Sequence, residues 1–120
     1  MTVHAIRGAI QLERDEREHL LSSTRELIEA IMTANELDSS QMISVLFTAT
    51  PDITSEFPAL AARTLGLGDV PLMCAVEMNV QHAMPRVVRV MMHVDVDKVR
   101  SEIKHIYLRG AVKLRLDIAQ

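Results

Sequence analysis

The sequence predicts an α+β fold, a mixed-sheet sandwich. Two observations carry this: apolar segments fall in the order β α β α β β α β, and the strands are long while the helices are few. Residues 3–10 alternate weakly and contain Arg7-Gly8, which predicts a first strand with a backbone break near Gly8 and Arg7 close to a strand end. Over residues 16–35, Leu20, Leu27, Ile28 and Ile31 recur at helical spacing with Thr24 and Met32 on the same stripe. The opposite face, with Glu18, Arg25, Glu26 and Glu29, reads as solvated charge. Asp38-Ser39-Ser40 is turn chemistry, and residues 42–48 follow as a second strand with Ile43, Val45 and Phe47 on one face.

Thr50-Pro51-Asp52 breaks that strand. Ser55-Glu56-Phe57-Pro58 then opens a second helix running to about Leu65, because proline is tolerated in a first turn whose amides lack partners anyway. Gly66 and Gly68 stop it, and residues 70–78 read as a third strand, apolar except for Glu77 near its far end. Met84-Pro85 marks a turn before a fourth strand, about 86–94, bordered by Asp95 and Asp97. A short third helix is expected over 97–104, a last strand within 105–112, and a flexible tail from about 113.

The length and the lack of a linker-like stretch predict one domain over residues 1–120. With 48% hydrophobic residues but two Phe, one Tyr, no Trp and eight Met, the core is small and adaptable, and subunit contacts are expected to supply part of the stability. A net charge of -3 with dispersed Lys and Arg argues against nucleic acid as the main partner. The single cysteine, Cys74, excludes an intramolecular disulfide and fits a reducing compartment. No leader pattern stands at the start, and no apolar run approaches the roughly 20 residues needed to cross a bilayer, so a soluble cytoplasmic protein is expected, with no membrane partner.

Arg89 is out of place. It interrupts Val87-Val88-Arg89-Val90-Met91-Met92, which otherwise reads as a buried strand. A guanidinium keeps its proton at physiological pH, and burying it unpaired is strongly unfavourable. Alternation puts Arg89 on one face with Val87 and Met91, and Val88, Val90 and Met92 on the other. Both faces read as covered, so Arg89 either pairs with a buried carboxylate or lines a pocket for an anionic ligand.

His4, His19, His82, His93 and His105 are scattered, without ligand spacing among themselves or with Cys74, so no metal is expected, and no cofactor loop appears. Gly66-Leu67-Gly68 follows a helix and reads as a helix stop rather than a phosphate cradle. The absence of a nucleophile elbow argues against a hydrolase triad. Cys74 admits three readings: a nucleophile, a structural thiol, or a thiol lining a pocket. Glu77 is a strand-end carboxylate in water, an acceptor for a ligand hydroxyl, or the partner of Arg89. Arg7, Arg63, Glu77, Arg89, Tyr107 and Arg115 all stand at or near apolar segments. Several cations with one carboxylate suit a small dianion bearing a hydroxyl, although each residue taken singly also reads as a surface or salt-bridge group.

Ile6-Arg7-Gly8-Ala9, Ala49-Thr50-Pro51-Asp52, Phe57-Pro58-Ala59, Ala62-Arg63, Val70-Pro71-Leu72, Cys74, Glu77-Met78, Arg89-Val90-Met91 and His105-Ile106-Tyr107-Leu108 with Leu114-Arg115 form an ordered set. Together they resemble the monofunctional chorismate mutases of the Bacillus type, in order from about residue 5 to residue 117. The resemblance implies a homotrimer round a pseudo-α/β barrel, with active sites in clefts between neighbouring subunits. It implies the Claisen rearrangement of chorismate to prephenate, the branch point toward phenylalanine and tyrosine, with no cofactor. Carried over by position, Arg89 would place its cation beside the ether oxygen and help hold a carboxylate. Arg7 and Tyr107 would grip the enolpyruvyl carboxylate. Glu77 would accept from the ring hydroxyl, with Cys74 touching the same region. Phe57, Ala59 and Met73 would form the apolar wall, while Arg63 and Arg115 would act at the mouth, the tail closing over it.

Cys74 and Glu77 are three apart, so both reach one ligand only if a bend or bulge lies between them, and one is predicted there; a straight ladder through Ala75 and Val76 would count against their joint role. Two positions depart from the family: Leu60, where relatives often carry a charge, and Leu116, where they usually have proline. The competing readings are a non-catalytic trimeric module that binds small carboxylates at its subunit clefts, and another trimeric enzyme of related shape, such as an enamine or imine deaminase. Glu77 with Tyr107 in these contexts favours the mutase.

Overall fold

The structure, a computed structural model, describes residues 2–114. Its strands are β1 (Val3–Gln11), β2 (Met42–Ala49), β3 (Leu72–Val76), β4 (Val87–Asp95) and β5 (Ile106–Leu108), and its helices are α1 (Arg17–Ala34) and α2 (Pro58–Thr64). The strands make one mixed sheet in the order β3-β2-β4-β1-β5. β4 runs antiparallel to both β1 and β2, whereas β3 and β5 join the edges in parallel.

Alternation along the strands decides what each face does. Ile6 and Ile10 of β1, Val45 and Phe47 of β2, and Val88, Val90, Met92 and Val94 of β4 pack with Leu20, Leu27, Ile28 and Ile31 of α1 and with Ala59, Ala61 and Ala62 of α2. The helical stripe expected on α1 is therefore its core face, although Met32 is only half-buried. Pro58 occupies the first turn of α2, and Gly66, at φ 84°, ends it in the left-handed region that glycine adopts at little cost. The other face of the sheet is covered only at one end. There Ala9, Val87, Tyr107 and Ala111 form a second small cluster under a 3-10 turn at Arg109–Leu114. The fold is thus α+β with a mixed sheet, but a single chain supplies a helical layer to one face only, and the second cover expected over Arg89 is missing within it.

Several local expectations need correction. No break occurs at Gly8: β1 pairs with β4 without a shift from Val3↔Asp95 to Gln11↔Val87, which puts Arg7 in mid-strand. The glycine serves packing, since a Cβ there would lie 2.7 Å from Ile31 Cδ1 and 3.0 Å from the Ile106 carbonyl oxygen. Ile43 does not share a face with Val45 and Phe47. A bulge between Met42 and Ser44 makes it the extra residue, 43% exposed.

The third helix is reduced to a 3-10 turn at Arg100–Glu102. The backbone around it is bonded to the end of α1 instead: Asn35 donates to the Lys104 carbonyl at 2.9 Å and accepts from the Lys104 N–H at 2.8 Å, while Lys98 Nζ donates to the Asn35 carbonyl. The last strand stops at Leu108 because Arg109, at φ 55°, turns the chain away. The tail expected from about residue 113 falls, beyond Leu114, outside the described residues. Among the described residues no helix is long and apolar enough to cross a membrane.

Candidate active site

The uncovered part of the sheet holds a cleft of about 320 Å³ lined by Arg7, Gly8, Leu46, Thr48, Arg89, Val90, Met91 and Tyr107. Four strands place these side chains. Thr48 faces Arg89 across β2 and β4, and Arg7 faces Met91 across β1 and β4. Tyr107 on β5 stands beside Ala9 and is 3% exposed.

Glu77 leaves β3 just after its last residue, and its N–H donates to the Ala49 carbonyl at 2.9 Å, one bond beyond the ladder. Its carboxylate then lies over Thr48 and Arg89. Arg89 Nε donates to Glu77 Oε2 at 3.0 Å, and Thr48 Oγ1 donates to the same oxygen at 2.6 Å. The pair is unequal in its exposure to water, with side chains 40% exposed for Arg89 and 16% for Glu77. Arg89 thus pairs with a carboxylate, as the first of its two readings required, and also lines a cleft. Among the described residues, Glu77 Oε1, the terminal nitrogens of Arg89, the guanidinium of Arg7 and the hydroxyl of Tyr107 make no hydrogen bond to one another or to the rest of the chain.

Arg7 is fixed through its backbone. Its N–H donates to His105 Nδ1 at 2.9 Å, immediately before the β1–β5 pairing begins at Gly8↔Ile106. Accepting at Nδ1 requires that His105 carry its proton on Nε2.

A second cleft, of about 290 Å³, is lined by Phe57, Ala59, Arg63, Leu72, Met73 and Cys74. Ala59 and Arg63 present the same helical face to it, as their spacing requires. Phe57 and Met73 are 69% and 65% exposed, an unusual amount of apolar surface for neighbouring side chains. The loop before Phe57 is held by two carboxylates. Asp15 accepts from Thr54 N, Thr54 Oγ1 and Ser55 N. Glu56 accepts from Phe57 N at 3.0 Å and from Arg17 Nε at 2.9 Å. Burial pushes the Asp15 carboxyl up, but hydrogen bonds from Ser55 and Thr54 outweigh it and hold the group below its ordinary value. Glu56 is lowered by the Phe57 N–H and by Arg17.

Arg7, Glu77, Arg89 and Tyr107 are thus gathered in one place, whereas Phe57, Ala59, Arg63, Met73 and Cys74 gather in another. The bulge expected between Cys74 and Glu77 is absent: β3 pairs with β2 in unbroken register from Leu72 to Val76. Cys74 stands beside the buried Phe47 and packs against the core, while Glu77 reaches the face that carries Thr48 and Arg89, so the two do not meet one ligand from within a single chain. Leu60 packs against the main core. Arg115 and Leu116 lie outside the described residues.

Sequence reasoning passed over Thr48 and His105. Threonine is an ordinary strand former, and a lone histidine carries no spacing signal. Only alternation, which puts Thr48 on the face opposite Phe47, pointed toward it.

A family model for chorismate mutase type I matches residues 3–118. The chain is 44% identical over 117 residues to chorismate mutase AroH of Thermus thermophilus, covering 97% of this chain and 96% of that one. It is 39% identical over 120 residues to chorismate mutase AroH of Bacillus subtilis (strain 168), covering 99% and 94%. Among solved structures, a chorismate mutase from Clostridium thermocellum superposes with a TM-score of 0.89 at 39% identity, covering 90% of this chain and 96% of that chain. With this sheet, this cleft and these relatives along nearly its whole length, the chain belongs to the chorismate mutase type I family of enzymes.

Proposed function

We propose that three copies of this single-domain mutase close into a pseudo-α/β barrel. Each chorismate site then forms where the Arg7, Glu77, Arg89 and Tyr107 cleft of one protomer meets the Phe57, Ala59, Arg63, Met73 and Cys74 cleft of the next. The observation that carries this reading is that the two clefts share no residue and both stand open in one chain. Leu46, Phe57 and Met73 remain exposed around them, as expected of surfaces that another copy covers. The unpaired Cys74 fits a reducing, cytoplasmic compartment.

Chorismate becomes prephenate by breaking its ether C–O bond while a C–C bond forms within the same molecule. No covalent intermediate and no proton transfer are needed. The protein's work is to hold the compact chair-like conformer and to place charge where it develops. Arg89 meets the ether oxygen as electrons collect there, and also takes a share of a carboxylate. Its Nε contact to Glu77 aims the guanidinium so that the terminal nitrogens face the substrate. Arg7 and Tyr107 hold the enolpyruvyl carboxylate, and the free Oε1 of Glu77 accepts from the ring hydroxyl. Phe57, Ala59, Met73 and Cys74 form the wall, with Arg63 at the mouth.

The test mixes defects in opposite clefts. Arg89→Ala and Arg63→Glu chains, each nearly inactive alone, are co-expressed and the mixed trimers isolated. The isolated mixed trimers should form prephenate at about a third of the wild-type rate, because every mixed ring has one of its three interfaces with both clefts intact. No recovery in rings verified as mixed would sink the shared-site arrangement.

A further inference from the structure

We propose that Thr48 is a positioning residue that sets the orientation of Glu77 and so the recognition of the substrate's ring hydroxyl. This rests on the role assigned above to Glu77. Thr48 stands on β2 with Arg89 as its partner on β4 and Ala75, two residues before Glu77, as its partner on β3. It donates to Glu77 Oε2 at 2.6 Å, the oxygen that also receives Arg89 Nε at 3.0 Å. One carboxylate oxygen is thereby occupied by two donors, and the other is left to accept from a ligand.

With the hydroxyl present, two donors reach Oε2 from different strands and together limit how the carboxylate can rotate about that oxygen. With the Arg89 contact alone the group swings more freely, and its other oxygen no longer stays where the ring hydroxyl arrives. Thr48 needs no contact with the substrate to have this effect. Glu77 needs such help because it is the one ligand-facing group of the cleft that is carried beyond the end of a strand rather than within one. The backbone of Arg7, Arg89 and Tyr107 is fixed by the ladders of β1, β4 and β5.

Thr48→Val keeps the shape and β-branching while removing the donor, and Thr48→Ser restores the donor. The two variants, with Glu77→Ala beside them, should be compared on chorismate and on its analogue lacking the ring hydroxyl, with thermal midpoint and trimer content measured for each. For Thr48→Val we expect kcat/KM on chorismate to fall about tenfold, the usual effect of losing a hydrogen bond to a charged group. Thr48→Ser should recover most of this loss, and the thermal midpoint should stay at the wild-type value. On the analogue the Thr48→Val penalty should vanish.

An equal loss on both substrates, or none on chorismate, would overturn the inference. If Glu77→Ala loses its preference for the hydroxyl while Thr48→Val does not, the Thr48 role fails and that of Glu77 stands. If Glu77→Ala shows no effect on chorismate, both roles fall together.

Discussion

The two faces of β4 are built from the same nine residues and have almost nothing else in common. Val88, Val90, Met92 and Val94 point at the helices and are sealed from water, while Arg89, Met91 and His93, between them in sequence, are only half-buried on the opposite side. The first set is interchangeable in kind, since any well-fitting apolar side chain would fill the space under α1. The second is specific: a cation that pairs with Glu77, beside a methionine facing Arg7. Stability is thus concentrated on one face of a strand and the proposed chemistry on the other, with side chains of opposite character adjacent in sequence.

Truncation on the core face is the severest way to test that division. Phe47→Ala, at a fully buried position of β2, should cost about 3–5 kcal/mol of unfolding free energy, read by chemical denaturation. The molecules that remain folded should still turn over chorismate, and a kcat collapse larger than the folded fraction explains would blur the division.

The converse change is Arg89→Ala. It should lower kcat about a thousandfold, the scale of losing a preorganised donor at a developing oxyanion, while shifting the thermal midpoint little because the Arg89–Glu77 pair is partly open to solvent. Retained turnover would remove Arg89 from the centre of the mechanism.

The mildest test uses acid on the second cleft. Asp15 and Glu56 have folded-state values below their ordinary 3.8 and 4.5, so their support of the Phe57 loop is complete above those values and is lost as pH falls below them. Amide protection in residues 53–57, measured against the intrinsic exchange rate at each pH, should therefore be lost on acidification before protection in β4 is. Simultaneous opening of both regions would mean that the loop is held by something other than these carboxylates.

What the sequence made legible follows the same division. The period of α1 and the alternation of β4 are repeated signals, and each repeat reinforces the last. Arg89 and Glu77 stood out because a charge in an apolar strand has few innocent explanations. The misread features are those in which one local cue is overruled by a distant partner. Gly8 resembles a break in isolation, but it exists to admit Ile31 and the Ile106 carbonyl. Residues 97–104 resemble a helix until Asn35 takes up the N–H and carbonyl of Lys104 at their end. Cys74 and Glu77 were reconciled by a bulge that the chain does not make, because Glu77 leaves the strand instead. The grouping of these residues into two clefts has no periodic signature, and Phe57 and Met73 are marked as wall residues only by the family resemblance, since spacing alone gives them no distinction from other apolar residues.

The bulge between Met42 and Ser44 gives β2 something like a reading frame. Met42 faces the core and so do Val45 and Phe47, an odd interval that plain alternation forbids and the extra residue Ile43 makes possible. The phase of every later residue in the strand, including the placing of Phe47 inward and Thr48 toward the cleft, is referred to that one insertion. Exchanging Ile43 for another side chain is then a small event at an exposed site. Deleting it forces either a re-formed bulge or an inverted strand with Phe47 in the cleft and Thr48 in the core. Here the length of a segment is constrained more tightly than its spelling, and variation among descendants of this chain should favour substitution over insertion or deletion throughout β2.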